Sequence, residues 1–163
     1  MKELYLIRHA KSSWGNSELK DFDRPLNHRG LVSAPEMGRR LSTKNLIPDA
    51  IFSSTAVRAM STAKLVRDQL GSHVKIVKEP NAYHASAFLL LQIVNSVSND
   101  LNSVFLVGHN PSLTDFAEYL TNEQFGNLPT AAVVGIRFSI EDWGLVSGST
   151  GTLVFYDYPK KIS

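Results

Sequence analysis

Leu4-Tyr5-Leu6-Ile7-Arg8-His9-Ala10 carries an apolar run into an adjacent arginine and histidine. Apolar residues bounded by polar ones over this length read as a buried strand. Arg8 and His9 then stand at the strand's C-terminal end, where open α/β sheets carry their ligand sites. An imidazole there can attack an electrophile, and a guanidinium can hold an anion through paired hydrogen bonds. The same two residues also fit a strand end that merely happens to be basic. The choice turns on whether the pattern recurs.

It does recur. Ser103-Val104-Phe105-Leu106-Val107-Gly108-His109 is a second apolar run ending in a histidine. Asn110-Pro111-Ser112 follows and reads as a helix start, with proline near the first position. A third run, Asp49-Ala50-Ile51-Phe52-Ser53-Ser54, leads into Thr55-Ala56-Val57-Arg58-Ala59-Met60, which places Arg58 in the first turn of a helix. Three strand ends thus offer two histidines and two arginines. In a parallel sheet these ends share one edge, so the four side chains can converge.

Around these runs the chain alternates strand and helix. Strand 1 spans about 3–8, and a long polar stretch runs from Lys11 to His28, a length typical of functional loops. A helix follows over about 29–43. Pro35 is awkward in its interior, and Ser33-Ala34-Pro35-Glu36 offers a competing capping box. Strand 2 lies near 49–53. The next helix repeats Ala59, Ala63, Val66 and Leu70 at helical spacing. Val74–Val77 is a short strand, and Ser86 caps a helix carrying Leu89, Leu90, Ile93, Val94 and Val97. Strand 4 lies near 103–108, with a helix over about 112–120. After Pro129, Ala132–Ile140 and Thr152–Tyr156 are β-rich with no helix between them, which suggests a closing antiparallel hairpin. The expectation is an α/β fold: a three-layer α/β/α sandwich with a mostly parallel central sheet, an antiparallel edge strand and right-handed crossovers.

The 163 residues fit one domain, 1–163, with a substantial core. A hydrophobic fraction of 43% and a charged fraction of 20% are ordinary for a globular protein. A net charge of +2 gives no reason to expect nucleic-acid binding. Lys160-Lys161 reads as a solvated tail rather than a membrane patch. The absence of cysteine excludes a disulfide scaffold, a thiolate zinc site and a cysteine nucleophile, and fits a cytoplasmic protein. No signal peptide is visible, since Arg8 ends the first apolar run too early.

Two arginines and two histidines around one point make a donor-rich positive pocket. Phosphate, tetrahedral and doubly charged, suits it best. A neutral imidazole aimed at phosphorus can displace a leaving group in line and form a phosphoenzyme. The arginines and the second histidine would stabilise charge on the equatorial oxygens. Helix N-termini after Ser53 and His109 would add amide donors. Asp21-Phe22-Asp23 resembles the paired aspartates of metal-dependent phosphatases, but it lies in a polar loop and not at a strand end. His9 and His109 lack the carboxylate neighbours of a metal pair, so no metal is expected. No Walker loop or dinucleotide glycine motif is present, so no cofactor is expected. His28, His73 and His84 read as ordinary surface histidines, and Asp115 and Glu118 as helix-start charges. Trp14 either covers the pocket or packs its loop.

Leu6-Ile7-Arg8-His9-Ala10, Ser53–Ala63 and Val107-Gly108-His109-Asn110-Pro111 together resemble the histidine phosphatase superfamily, with its phosphoglycerate-mutase-like fold. Asp23-Arg24-Pro25-Leu26-Asn27-His28-Arg29-Gly30 and the short length resemble its SixA-type phosphohistidine phosphatase branch. The resemblance implies that His9 is the phosphorylated nucleophile. It implies that Arg8 and Arg58 bind phosphate, that His109 completes the pocket, and that Arg24 reaches phosphate or partner.

One departure concerns the general acid. Larger members of the superfamily supply a carboxylate beyond the third strand, where this chain reads Lys78-Glu79-Pro80-Asn81-Ala82-Tyr83-His84. Glu79 comes early and Asn81 stands where the acid belongs, which leaves Glu79 and His84 as candidates. An imidazole leaving group, with a pKa near 6.5, needs less acid help than an alkoxide. The reading is therefore a metal-independent phosphatase acting on phosphohistidine in a protein. A phosphatase of a small phosphorylated metabolite is the near alternative, and a non-catalytic phosphate or phosphoprotein sensor the distant one. Little chain remains to build a cap, which favours a large or exposed substrate over an enclosed mutase site.

Overall fold

Alternation along β1 (Lys2–Arg8) sets the layers. Leu4 and Leu6 face one side of the sheet, Tyr5 and Ile7 the other, and all four are buried. A strand apolar on both faces needs cover on both. The computed structural model, which describes residues 1–71 and 73–161, supplies it. Against Tyr5 and Ile7 lie α1 (His28–Thr43) and α2 (Val57–Leu70), through Met37, Leu41, Ala59, Ala63 and Val66. Against Leu4 and Leu6 lie α3 (Ala87–Asn95) and α4 (Ser112–Thr121), through Leu90, Val94, Leu113, Phe116 and Leu120. The architecture is the three-layer α/β/α sandwich that the alternation implies.

The remaining strands are β2 (Ala50–Ser53), β3 (Lys75–Lys78), β4 (Ser103–Gly108), β5 (Val133–Phe138) and β6 (Gly151–Asp157). The sheet order is β3-β2-β4-β1-β5-β6. The first four are mutually parallel; β5 runs antiparallel to β1, and β6 antiparallel to β5. The closing hairpin after Pro129 is thus present. Its reversed strand is β5, and the edge strand β6 returns to the direction of β1. Only a 3-10 turn, Trp143–Leu145, interrupts the connection. Register positions the site: Arg8 pairs with Gly108 and Ser53 with Val107, so the ends of β1, β4 and β2 are level within a residue.

The start of α1 is settled by Asn27, whose side chain accepts the Gly30 N–H at 2.9 Å. The competing box at Ser33 is unused, and Glu36 instead pairs with Arg39 and Arg40. Asn27 prevails because this turn is anchored elsewhere. Its N–H donates to the Lys11 carbonyl, and the backbone of Gly30 approaches Lys11 so closely that a Cβ there would collide with that carbonyl. The loop between β1 and α1 is further closed by a bridge between Ser12 and Leu26 and by the Ser13 N–H on Pro25. Its contents are therefore held over the sheet edge. Among the described residues, no helix is long and apolar enough to cross a membrane.

Candidate active site

His9 follows the last residue of β1, and its backbone N–H continues the ladder to Gly108. The next residue is pinned by Thr62 of α2, whose hydroxyl accepts the Ala10 N–H at 2.9 Å. The His9 ring is 6% exposed. Its Nδ1 lies 2.7 Å from the Ala10 carbonyl, which assigns the proton to Nδ1 and the lone pair to Nε2. Nε2 faces the Nε of Arg58 at 3.4 Å. Burial first, then the charges of Arg58, Arg8 and Arg24, push the pKa of His9 down to about 4, against the upward pull of the Ala10 bond. At neutral pH the ring is uncharged and its lone pair is available for attack.

His109 follows β4 in the same way, with its ring centroid 5.1 Å from that of His9. Ser54 Oγ accepts the Ala56 N–H and lies 2.7 Å from His109 Nε2. When the Ser54 hydroxyl donates to Nε2, the ring proton stands on Nδ1. That Nδ1 is buried with no partner among the described residues. Burial, followed by the charges of His9 and Arg58, pushes the pKa of His109 down to about 3.

The arginines arrive from three elements. Arg8 ends β1 and donates from one Nη to the Leu128 carbonyl at 2.7 Å, while its Nε is buried without a partner. Burial, then the charge of Arg58, lowers its pKa. Arg58 sits in the first turn of α2 and is 5% exposed. It donates to the Asp21 carbonyl at 2.6 Å and to Asp21 Oδ2 at 3.0 Å. Arg24 is buried; it donates to Ser12 Oγ at 2.8 Å and to Asp21 Oδ1 at 3.1 Å. The Trp14 ring stacks on Arg24 at 3.4 Å from the guanidinium carbon and is itself 76% exposed.

The structure therefore brings Arg8, His9, Arg24, Arg58 and His109 to one place. A cavity of about 380 Å³ opens beside them, lined by Asp21, Arg58, Tyr83, His84 and His109. His84 reaches this rim: it is exposed, stacked on Tyr83 at 4.0 Å, and held at a φ of 57°. Glu79 does not. It is half-buried beyond β2, its N–H donates to Ser53, and with Asn81 it lines a separate cavity of about 310 Å³. A larger cavity, about 840 Å³, lies between α1 and β6, where Arg40 is already paired with Glu36 and Asp157. Glu118 stands in the middle of α4, not at its start, and accepts the Phe125 and Gly126 N–H groups.

Two residues in the pocket were not expected from the sequence. Asp21 accepts from Arg24, Arg58 and, at 2.6 Å, from the Tyr83 hydroxyl. Tyr83 first, then Arg58, hold its carboxyl far below the usual carboxylate range. Burial and Asp21 raise the Tyr83 phenol in turn. The available signal for Asp21 was its place three residues before Arg24, and for Tyr83 its place in the segment searched for an acid. Among the described residues, no three His, Asp or Glu side chains converge as a metal-ligand cluster.

Residues 4–82 match the model of the histidine phosphatase superfamily, branch 1. With the fold and the converging strand ends, this places the chain: it belongs to the histidine phosphatase superfamily. It is similar to the Agrobacterium tumefaciens protein assigned as the phosphohistidine phosphatase SixA, at 26% identity and a TM-score of 0.84, covering 97% of this chain and 98% of that one. A SixA protein histidine phosphatase complexed with tungstate shares the fold at a TM-score of 0.82 and 19% identity, covering 96% of this chain and 97% of that one. An uncharacterised chloroplastic protein of Arabidopsis thaliana is 30% identical over 129 residues, covering 74% of this chain. The chain spans 59% of that plant protein's length.

Proposed function

We propose that this chain is a metal-independent phosphatase working through phosphohistidine on His9, and that its substrate is phosphohistidine borne by another protein. One observation carries the reading. A neutral histidine whose Nε2 carries only the long 3.4 Å bond from Arg58 shares the site with Arg8, whose buried Nε no described protein group satisfies. A buried donor without an acceptor is costly, so a site that keeps one suits an anion. Solution of a like-folded SixA protein with tungstate, a tetrahedral oxyanion, supports the same chemistry.

In this scheme His9 Nε2 attacks phosphorus, a P–N bond forms on His9, and the substrate's P–N bond breaks. The departing imidazole nitrogen takes a proton from solvent. Water then attacks the phosphoryl group on His9, releases inorganic phosphate and a proton, and restores the free ring. Arg8, Arg58, Arg24 and His109 hold the phosphoryl oxygens throughout. The P–N preference follows from the pocket's acids. Asp21 is held ionised, Glu79 lies elsewhere, and only His84 stands at the rim. A leaving alkoxide would find no carboxylic acid there to protonate it; an imidazole tolerates that lack.

The test is a rapid quench with a phosphohistidine-carrying protein, followed by mapping of the acid-labile phosphate. Label is expected on His9, and His9→Ala should remove both label and turnover while retaining part of the phosphate affinity. Undiminished turnover in that variant would end the mechanism. Equal specificity constants for phosphohistidine and a sugar phosphate would instead favour a metabolite. The 40% identity to a phosphoglycerate mutase of Bradyrhizobium, over 72 residues and 34% of that protein, leans that way.

A further inference from the structure

The geometry points to Asp21 as the counter-charge of the pocket: it aims Arg58 at His9 and weakens the hold on free phosphate, so that the product leaves. This deepens the reading of the pocket as a phosphoryl site and rests on it.

Asp21 sits in a short 3-10 turn, Asp21–Asp23, at the far end of the loop closed by the Ser12–Leu26 bridge. Three of its oxygens are engaged. Its carbonyl and Oδ2 take the two Nη groups of Arg58, at 2.6 and 3.0 Å. Oδ1 takes Arg24 Nε at 3.1 Å, and Oδ2 also accepts from Tyr83 at 2.6 Å. With both Nη groups of Arg58 fastened outward, its Nε edge is the one turned to His9 Nε2, 3.4 Å away. A long side chain left unfastened would spread over many rotamers and lose that aim. Asp21 is therefore a positioning residue for Arg58.

Its second effect is on charge. Arg8, Arg24 and Arg58 supply three positive charges, and His9 and His109 are neutral by burial. Asp21 lowers the total to two, which matches a phosphoryl dianion. Without that carboxylate the pocket would hold the free product too well, because one unit charge a few ångströms from an anion is worth about a tenfold change in affinity in a partly solvated site. Asp21 is poorly suited to deprotonate water: its lone pairs are taken by three donors, which stabilise the anion.

The experiment uses the full chain and compares wild type, Asp21→Asn and Asp23→Asn. Asp23 is the exposed carboxylate of the same turn, so its variant removes equal charge from the loop outside the network. Inorganic phosphate is titrated by calorimetry, and turnover is followed on a phosphohistidine protein. In Asp21→Asn, phosphate should bind about tenfold tighter while kcat falls about tenfold, with strong product inhibition. In Asp23→Asn the phosphate affinity should stay within twofold. Phosphate affinity unchanged or weakened in Asp21→Asn would overturn the proposal, since an organiser of Arg58 alone gives that result. Loss of the acid limb of the pH–rate profile in Asp21→Asn would also overturn it, in favour of a general base. The titration needs no turnover, so it judges Asp21 even if phosphohistidine proves not to be the substrate. A wild type that binds no phosphate would defeat the phosphoryl-site reading itself.

Discussion

Lys2 and Arg8 stand at the two ends of β1, and their surroundings differ in kind. Lys2 is buried, and its ammonium donates to the Asn99 and Leu101 carbonyls and to Asn102 Oδ1, at 2.8, 3.1 and 3.0 Å. All three of its protons have acceptors, and Trp143 lies 5.8 Å away. Arg8 has one carbonyl, Leu128, and a buried Nε with nothing to bond among the described residues. One end of the strand is closed by satisfied polar groups. The other end keeps donors in reserve. A buried cation that serves the fold is matched to its acceptors, whereas one that serves a ligand is left short of them.

The largest effects should separate these ends cleanly. Arg8→Ala is expected to lower kcat/KM for a phosphohistidine protein by roughly two to three orders of magnitude, the scale for a lost preorganised donor. Its unfolding free energy should change little, because an under-satisfied cation contributes little to the fold. Lys2→Met should do the reverse: a loss of about 2–3 kcal/mol in denaturant unfolding, from three acceptors left unpaired, with kcat/KM within twofold of wild type. An active Arg8→Ala protein, or an inactive but stable Lys2→Met protein, would erase the contrast.

The pH response sharpens it further. The folded-state pKa values of His9 and His109 lie near 4 and near 3, below the ordinary 6.5. As pH falls through 6.5 the unfolded chain takes up protons that the folded chain refuses. Stability is thus complete above 6.5 and declines until the pH passes about 3, by several kcal/mol for the two rings together. In phosphate-free buffer, two imidazole C–H resonances should hold their shifts through pH 6.5 and move only near pH 4. An inflection near 6.5 in both would show rings more solvated than this pocket allows.

Much of this was legible in the sequence because it was written in strand ends. Apolar runs ending in Arg8-His9, Ser53-Ser54 and Gly108-His109 place chemistry at one edge once the sheet is parallel, and the register shows those ends level. The antiparallel closing hairpin was legible; which of its strands joins β1 and which forms the edge was not. Nor was the role of Asn27 over Ser33, which depends on the contact between Gly30 and Lys11 across the loop. In the sequence Asp21 reads only as one of two aspartates in a polar loop. Its partners are Arg24, three residues away, but also Arg58 and Tyr83, 37 and 62 residues away, and only the closed loop brings them together.

The smallest expected effect concerns Glu79, the one carboxylate in the segment where the acid belongs. Were it the proton donor, it would face the cavity beside His109. Instead it lies with Asn81 on a separate cavity beyond β2. The residue at the rim is His84, exposed and stacked on Tyr83. Glu79→Gln should therefore leave kcat/KM for a phosphohistidine protein within twofold of wild type. It should also leave unchanged the ratio between that substrate and a phosphoserine peptide, because neither leaving group draws a proton from it. The measurement is the pair of specificity constants at neutral pH. A selective loss on phosphoserine in Glu79→Gln would mean that the segment 79–84 swings to bring its carboxylate over the phosphoryl group. The preference for P–N bonds would then need another cause than the absence of an acid.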